Sequence, residues 1–140
     1  VRETVRVLKP GGTFGLVDNV GPDVELLPDF SAADIAAADV EYTTFEKARD
    51  PSHNRALPLT EWLDLITRAG LAVTHRERLV KIIDLDIWAQ RMRADRTMLA
   101  RLARILDDPS PALAAFLKPL NHAGKRSFTL HEAIVVAAKP

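Results

Sequence analysis

Leu8-Lys9-Pro10-Gly11-Gly12 runs directly into Thr13-Phe14-Gly15-Leu16-Val17-Asp18-Asn19. Pro10 cannot continue a helix, and the two glycines after it reach backbone angles closed to other residues, so a helix covering Val1 to Leu8 must stop there and reverse. Phe14 to Val17 is apolar on successive residues, which predicts a strand covered on both faces in a parallel or mixed sheet. Helix, tight turn and buried strand are half of an α/β unit. In open sheets of that class ligands sit beyond the carboxyl ends of the strands. Asp18 and Asn19 fall at such an end and are the first candidate binding residues.

Punctuation divides the rest. Gly21-Pro22 and Pro28 mark a loop, and Ser31 is placed to cap a helix that holds Ile35, Val40, Tyr42 and Phe45 and stops at Arg49, before Pro51. Thr60 is read as the N-cap of a second helix with Trp62, Leu63 and Ile66 on its buried stripe and Gly70 closing it. A strand is expected from Leu71 to about Val80. Leu85, Trp88 and Met92, then Met98, Leu99, Leu102, Ile105 and Leu106, recur at helical spacing with a break near Asp95. Ser110 and Pro111 open a further helix carrying Leu113, Phe116, Leu117 and Leu120. Asn121 to Lys125 turns back, and Ser127 to Ala138 reads as the last strand.

The turn and strand at residues 8–19 resemble the fifth strand of class I S-adenosylmethionine-dependent methyltransferases. Three later stretches extend the match in order: Arg49-Asp50-Pro51-Ser52-His53 followed by Arg55; Leu59-Thr60-Glu61-Trp62; and Ser127-Phe128-Thr129-Leu130 with Glu132-Ala133-Ile134. Together they are similar to the small-molecule methyltransferases of the ubiquinone and menaquinone biosynthesis type. The resemblance implies an α/β fold: the carboxyl-terminal half of a Rossmann-like sheet, whose final strand inserts antiparallel after a helical insertion. It implies residues 1–83 and 125–140 as sheet core with flanking helices, and 84–124 as a helical cover with Trp88, Met92 and Phe116 turned towards the end of the first strand. It also implies S-adenosylmethionine as cofactor. The glycine-rich loop that approaches that cofactor in the family has no counterpart here, since Gly11, Gly12 and Gly15 lack the G-x-G-x-x-G spacing. The expectation is the carboxyl-terminal part of a longer protein, without the cofactor-binding half and inactive alone.

Composition narrows the partners. Nineteen basic residues against nineteen acidic ones cancel, so no net field draws the chain to nucleic acid or an anionic membrane. The charges are nevertheless segregated: Asp18, Asp23, Glu25, Asp29, Asp34, Asp39, Glu41 and Glu46 precede a basic stretch with Arg76, Arg78, Lys81, Arg91, Arg93, Arg96, Arg101 and Arg104. The basic residues are interspersed with Glu77, Asp84, Asp86 and Asp95, which suits a solvated face. No cysteine is present, which removes disulfides and thiolate metal sites and makes the cytoplasm the default expectation.

The chemistry implied by the resemblance is attack on an activated sulfonium methyl, which asks the protein to align donor and acceptor and exclude water. His53 is the candidate base or hydrogen-bond partner, in a polar loop beside Asp50 and Arg55. Asp50-Pro51-Ser52-His53 reads equally as a turn in which Asp50 and Ser52 satisfy backbone donors. Asp18, Asn19, Arg49 and Arg55 are the candidate substrate-binding residues, the arginines by bidentate contact with an acidic group or else by pairing with neighbouring carboxylates. Cation-dependent O-methyltransferases resemble the Asp18-Asn19 strand end too, with magnesium held by oxygen ligands, but the segment from Arg49 to Arg55 fits the metal-independent group better and no metal is expected. A small-molecule methyl acceptor is the expected partner. A non-catalytic binding module related to the same fold is the alternative.

Overall fold

The Pro10-Gly11-Gly12 turn separates the first helix, α1 (Arg2–Val7), from the first strand, β1 (Thr13–Asn19), in the computed structural model, which describes residues 1–140. Gly11 takes the left-handed angle the turn requires, with φ 74°. The turn is clasped from the far end of the chain. Gly11 donates to the carbonyl of Lys139, Lys139 donates back to that of Gly12, and the Lys139 ammonium donates to the carbonyls of Val5 and Leu8 at 2.8 Å each. A cation there satisfies acceptors that the end of α1 leaves open.

The later helices are α2 (Ala32–Arg49), α3 (Leu59–Arg68), α4 (Leu85–Met92), α5 (Arg96–Asp107) and α6 (Pro111–Leu117); the remaining strands are β2 (Ala72–Asp84), β3 (Leu120–His122) and β4 (Lys125–Ala138). Ser31 caps α2 in a reciprocal box with Asp34. Asp84, Asp95 and Ser110 cap α4, α5 and α6. Thr60 does not cap α3, which begins one residue earlier behind Pro58, with no side-chain cap. Gly70, at φ 89°, ends α3: its N–H meets the carbonyl of Thr67 and the N–H of Leu71 that of Ile66.

Strand order is β1-β4-β2, all antiparallel, with β3 on the early part of β4. The final strand thus inserts between the other two long strands after a helical insertion, as the resemblance implied. β2 runs on to Asp84, past the expected end near Val80, because its extension pairs residue by residue with the first half of β4, down to Asp84 opposite Ser127. Leu120 lies on β3 and not on α6, and residues 120–125 form a hairpin. Ala123 and Gly124 both have positive φ, the two-residue geometry that suits the strand twist.

Two cores form. One gathers Tyr42, Phe45, Leu102, Leu113, Phe116, Phe128 and Leu130 among α2, α5, α6 and β4. The other gathers Leu59, Ile66, Ala133, Val135 and Ala137, with Val5, Leu8, Phe14 and Leu16 against it. The prediction that β1 is covered on both faces is corrected here. Phe14 and Leu16 pack under α1 and α3, whereas Val17 on the other face is 67% exposed. A run of apolar residues marks a strand able to be covered twice; only one covering layer is present in these residues.

The two sheet edges differ. β2 carries His75, Arg76, Glu77, Arg78 and Lys81 and a register shift between Val73 and His75, features that discourage pairing with another chain. The outer edge of β1 has no charge before Asp18, no proline and no bulge. Acid and base blocks meet across the fold, Arg78 donating to Asp23 at 2.6 Å and to Glu25 at 3.1 Å, and Arg76 to Glu25 at 3.2 Å.

His131 joins the insertion to the sheet. It is buried on β4, its ring stacks on Phe116 at 4.5 Å, and its Nε2–H donates to the Phe116 carbonyl at 2.9 Å, leaving Nδ1 without a partner. Burial depresses its pKa below the ordinary value, and the Lys118 and Arg78 charges act in the same direction, against the Phe116 bond and Asp23.

Three outcomes are expected. A Cβ at Gly21 would stand 2.5 Å from the Ala56 carbonyl oxygen, so Gly21→Ala should cost about 2 kcal/mol of stability in urea unfolding. Val17→Lys should reduce self-association of the chain in sedimentation experiments without lowering its melting temperature, by charging a bare strand edge. His131 is held neutral in the fold, so its contribution to stability is complete above the unfolded pKa near 6.5 and declines as pH falls below it. Denaturation midpoints measured from about pH 7.5 to about pH 5, where carboxylates remain largely ionised, should show that decline, and His131→Gln should flatten it.

Candidate functional site

Asp18 and Asn19 end β1, and the chain leaves the sheet through Val20 and Gly21. Asp18 Oδ1 accepts from the Asn19 N–H at 2.9 Å, a local strand-end bond that leaves its second oxygen available. The next long element, α2, brings its inner face to this end. Tyr42, Glu46 and Arg49 stand at helical spacing on that face. Tyr42 is fully buried and Glu46 is 1% exposed. Burial first, then the negative charge of the neighbouring Glu46 carboxylate and a side-chain hydrogen bond with it, raises the Tyr42 phenol well above its ordinary pKa; the charge of Asp18 adds to the effect and that of Arg49 opposes it. Tyr42 therefore stays protonated.

The sequence reading names Ile35, Val40, Tyr42 and Phe45 on this helix without assigning its buried face, and counts Glu46 among the acidic residues of the first third. The structure buries Tyr42 and Phe45, leaves Val40 69% exposed and turns Glu46 inward. Glu46 lies four residues after Tyr42, and that spacing was the available signal.

Arg49 does not stand free to clamp a substrate. Its Nη2 donates to Glu46 Oε2 at 2.7 Å, and its guanidinium lies 5.9 Å from the ring centroids of both Trp88 and Phe128. Arg55 is likewise committed, Nε to Asp39 at 2.9 Å and Nη1 to Glu61 at 2.9 Å. Both arginines pair with neighbouring carboxylates, the reading the sequence left open beside the clamp. His53 follows the end of α2 in a tight turn: its N–H donates to the Asp50 carbonyl at 3.0 Å, while the Asp50 carboxylate accepts from the N–H and hydroxyl of Ser52. Those two Ser52 bonds hold Asp50 below the ordinary carboxylate range. His53 is half-buried and its Nε2 has no partner. The structure thus brings Asp18, Arg49, Tyr42 and Glu46 together and sets His53 just beyond the helix end, with Arg55 tied to a separate pair of acids.

The insertion closes on this region. Trp88 of α4 faces Arg49, and Phe116 of α6 meets Tyr42 edge-on at 5.0 Å. Met92 is 56% exposed and contributes nothing to the closure. Its place near the end of α4, just before Arg93 turns left-handed at φ 53°, points it outward. No third carboxylate or imidazole joins Asp18 and Asn19 in a metal-holding group.

The glycines of this chain do not floor a cofactor cradle. A Cβ at Gly12 would meet the Lys9 carbonyl oxygen at 2.8 Å and one at Gly21 that of Ala56, so those two serve the chain's own turns. Gly11, Gly15, Gly70 and Gly124 have nothing within 4 Å of that position. The residues present do not by themselves fit S-adenosylmethionine.

No protein-family description matches the chain. YcgJ of Bacillus subtilis (strain 168), an uncharacterized methyltransferase, is 33% identical over 91 residues, 65% of this chain and 32% of YcgJ. YafE of Escherichia coli (strain K12), an uncharacterized protein, is 30% identical over 99 residues, 71% of this chain and 42% of YafE. The chain spans less than half the length of these curated relatives. Among solved structures, BH2331 of Bacillus halodurans C-125, which carries the name methyltransferase, matches 99% of this chain and 61% of its own with a TM-score of 0.82 at 28% identity. The crystal structure of YcgJ matches 99% of this chain and 55% of its own with a TM-score of 0.81 at 25% identity. With the final strand inserted antiparallel behind a helical insertion, these likenesses identify a class I S-adenosylmethionine-dependent methyltransferase fold over most of this chain, in the form of the closing half of its sheet.

Proposed function

We propose that this chain is the acceptor-side portion of an S-adenosylmethionine-dependent methyltransferase acting on a small organic molecule, and that it transfers no methyl group alone. The observation that carries the reading is the gathering of polar groups at the carboxyl end of β1, where open α/β sheets bind ligands, in a fold shared with proteins named methyltransferase. The bare edge of β1 supports the second part, because it suits pairing with further strands of the same sheet.

When bound, S-adenosylmethionine supplies a methyl group already activated by positive charge. The work left to these residues is to hold the acceptor, orient it and keep water away. Asp18 and Asn19 offer hydrogen-bonding groups at the strand end. His53 presents an unpartnered ring nitrogen at the end of α2, able to orient an acceptor or to take its proton. Arg49 serves the site by fixing Glu46, and Arg55 by fastening the loop that carries His53 to Asp39 and Glu61. The helices of the insertion exclude water with Trp88 and Phe116.

Calorimetric titration of the chain with S-adenosylmethionine should give no saturable micromolar binding, and the same titration of a polypeptide that adds the cofactor half should give it. A non-catalytic module would bind the cofactor in neither form. In the active form, His53→Ala should lower turnover by about ten- to a hundredfold if His53 orients the acceptor and by about a hundred- to ten-thousandfold if it is the base. A base acts only when neutral, so wild-type turnover would rise with pH and the variant would lose that limb. An orienting residue leaves the limb in place. Unchanged turnover at every pH would remove His53 from the site.

A further inference from the structure

Two of the large apolar side chains that the fold leaves in water, Val24 at 60% and Val40 at 69% exposed, stand on the walls of one groove. Its apolar lining comes from three segments: Pro22 and Val24 in the loop after β1, Ile35, Ala36 and Val40 on one side of α2, and Pro58 before α3. Its volume is about 430 Å³, within the range of small-molecule sites. Apolar side chains scattered singly over a surface are ordinary, but a concave wall of them holds water against carbon and releases it to an apolar ligand. Ala36 lies one helical turn before Val40, and its short side chain leaves the space between the walls open.

The charged residues of the lining decide the charge of what fits. They are Asp39 and Arg55, and they are spent on each other, Arg55 Nε donating to Asp39 Oδ2 at 2.9 Å. Arg55 also meets Glu61 at 2.9 Å, so its positive charge is matched before any ligand arrives. Asp39 Oδ1 has no partner, but it is buried against the chain at Gly21, where an added Cβ would stand 3.1 Å from it. An anion therefore finds no uncompensated cation in the groove and a cation no open carboxylate, and either would trade part of its hydration for carbon. A neutral apolar ligand meets no such cost. The groove also adjoins the strand end: Pro22 follows Asn19 by three residues, the Gly21 N–H donates to the Leu57 carbonyl at 3.2 Å, and Arg55 stands two residues after His53.

We propose that this groove binds a neutral, apolar arm of the methyl acceptor, a ring or short hydrocarbon chain, and so directs the rest of that molecule to the end of β1. The word acceptor rests on the methyltransferase reading; the preference of the groove for a neutral apolar ligand does not, and it is tested without methyl transfer.

The isotopically labelled chain would be titrated with butanol, hexanol, hexanoate and hexylammonium while backbone amide shifts are followed by NMR. Hexanol should saturate with shifts centred on residues 22–24, 35–40 and 55–58, and should bind about five- to fifteenfold more tightly than butanol, because each further methylene leaves water. Hexanoate and hexylammonium should each bind several-fold more weakly than hexanol. Val40→Glu, at an exposed position, and Ala36→Trp, which fills the groove, should each weaken hexanol binding at least about tenfold, and either serves if the other fails to fold. Ile82→Ser, at an apolar residue exposed on β2 outside the groove, should leave binding unchanged. Shifts centred elsewhere, no saturation with hexanol, equal or tighter binding of a charged probe, or unchanged binding in both folded groove variants would overturn the proposal. Self-association that Val40→Glu abolishes, in a chain that binds no hexanol, would overturn it by giving the groove to a second copy. A chain that binds hexanol here but forms part of no active methyltransferase would overturn the functional reading and leave the groove standing.

Discussion

β4 is the one strand against which everything else is ordered. It hydrogen-bonds to β1, β2 and β3, and it supplies residues to both hydrophobic cores. Side chains alternate across a strand, so Phe128 and Leu130 point to one face while Ala133, Val135 and Ala137 point to the other. The first half of β4 is buried against the helices of the insertion and the second half against α1 and α3. A central strand from the end of the sequence must be in place before the early elements have anything to pack on, which makes the fold depend on contacts between distant residues. The Lys139 ammonium on the last carbonyls of α1 is the most extended of these ties.

Charge organises what packing leaves. The acidic loop after β1 and the basic stretch of β2 neutralise one another through Arg78, which reaches Asp23 and Glu25 and thereby holds the loop beside the sheet. The Arg78 bond keeps Glu25 below the ordinary carboxylate range. Inside α2 the pairing differs in kind. Glu46 and Arg49 are withdrawn from water, where a carboxylate is tolerated only if paired and is costly if left alone. Burying that pair beside the Tyr42 phenol sets a polar group into the core between α2 and the insertion, where the Arg49 guanidinium offsets the cost of withdrawing the Glu46 carboxylate from water.

Most of the element plan is legible from short-range signals. Pro10 and Gly11 end one helix, Gly70 ends another, and Ser31, Asp84, Asp95 and Ser110 sit where caps are needed. Those residues act on backbone angles and hydrogen bonds within four positions of themselves, so no tertiary information is needed to read them. The misreadings fall where a distant partner decides. β2 extends to Asp84 because the first half of β4 offers it a ladder, Leu120 joins a hairpin whose turn is Ala123-Gly124, and β1 is covered once because only α1 and α3 lie over it.

The site divides along the same line. The strand-end position of Asp18 and Asn19, the turn around His53 and the order of motifs that resembles a methyltransferase all belong to the sequence itself, since each depends on neighbours in the chain. Tertiary structure alone decided that Arg49 and Arg55 meet carboxylates, that Glu46 faces inward where Val40 does not, and that Trp88 and Phe116 close over α2 while Met92 stays outside. The reason is physical: a local pattern gives a helix its faces, but which face is buried depends on the elements that arrive from elsewhere in the chain.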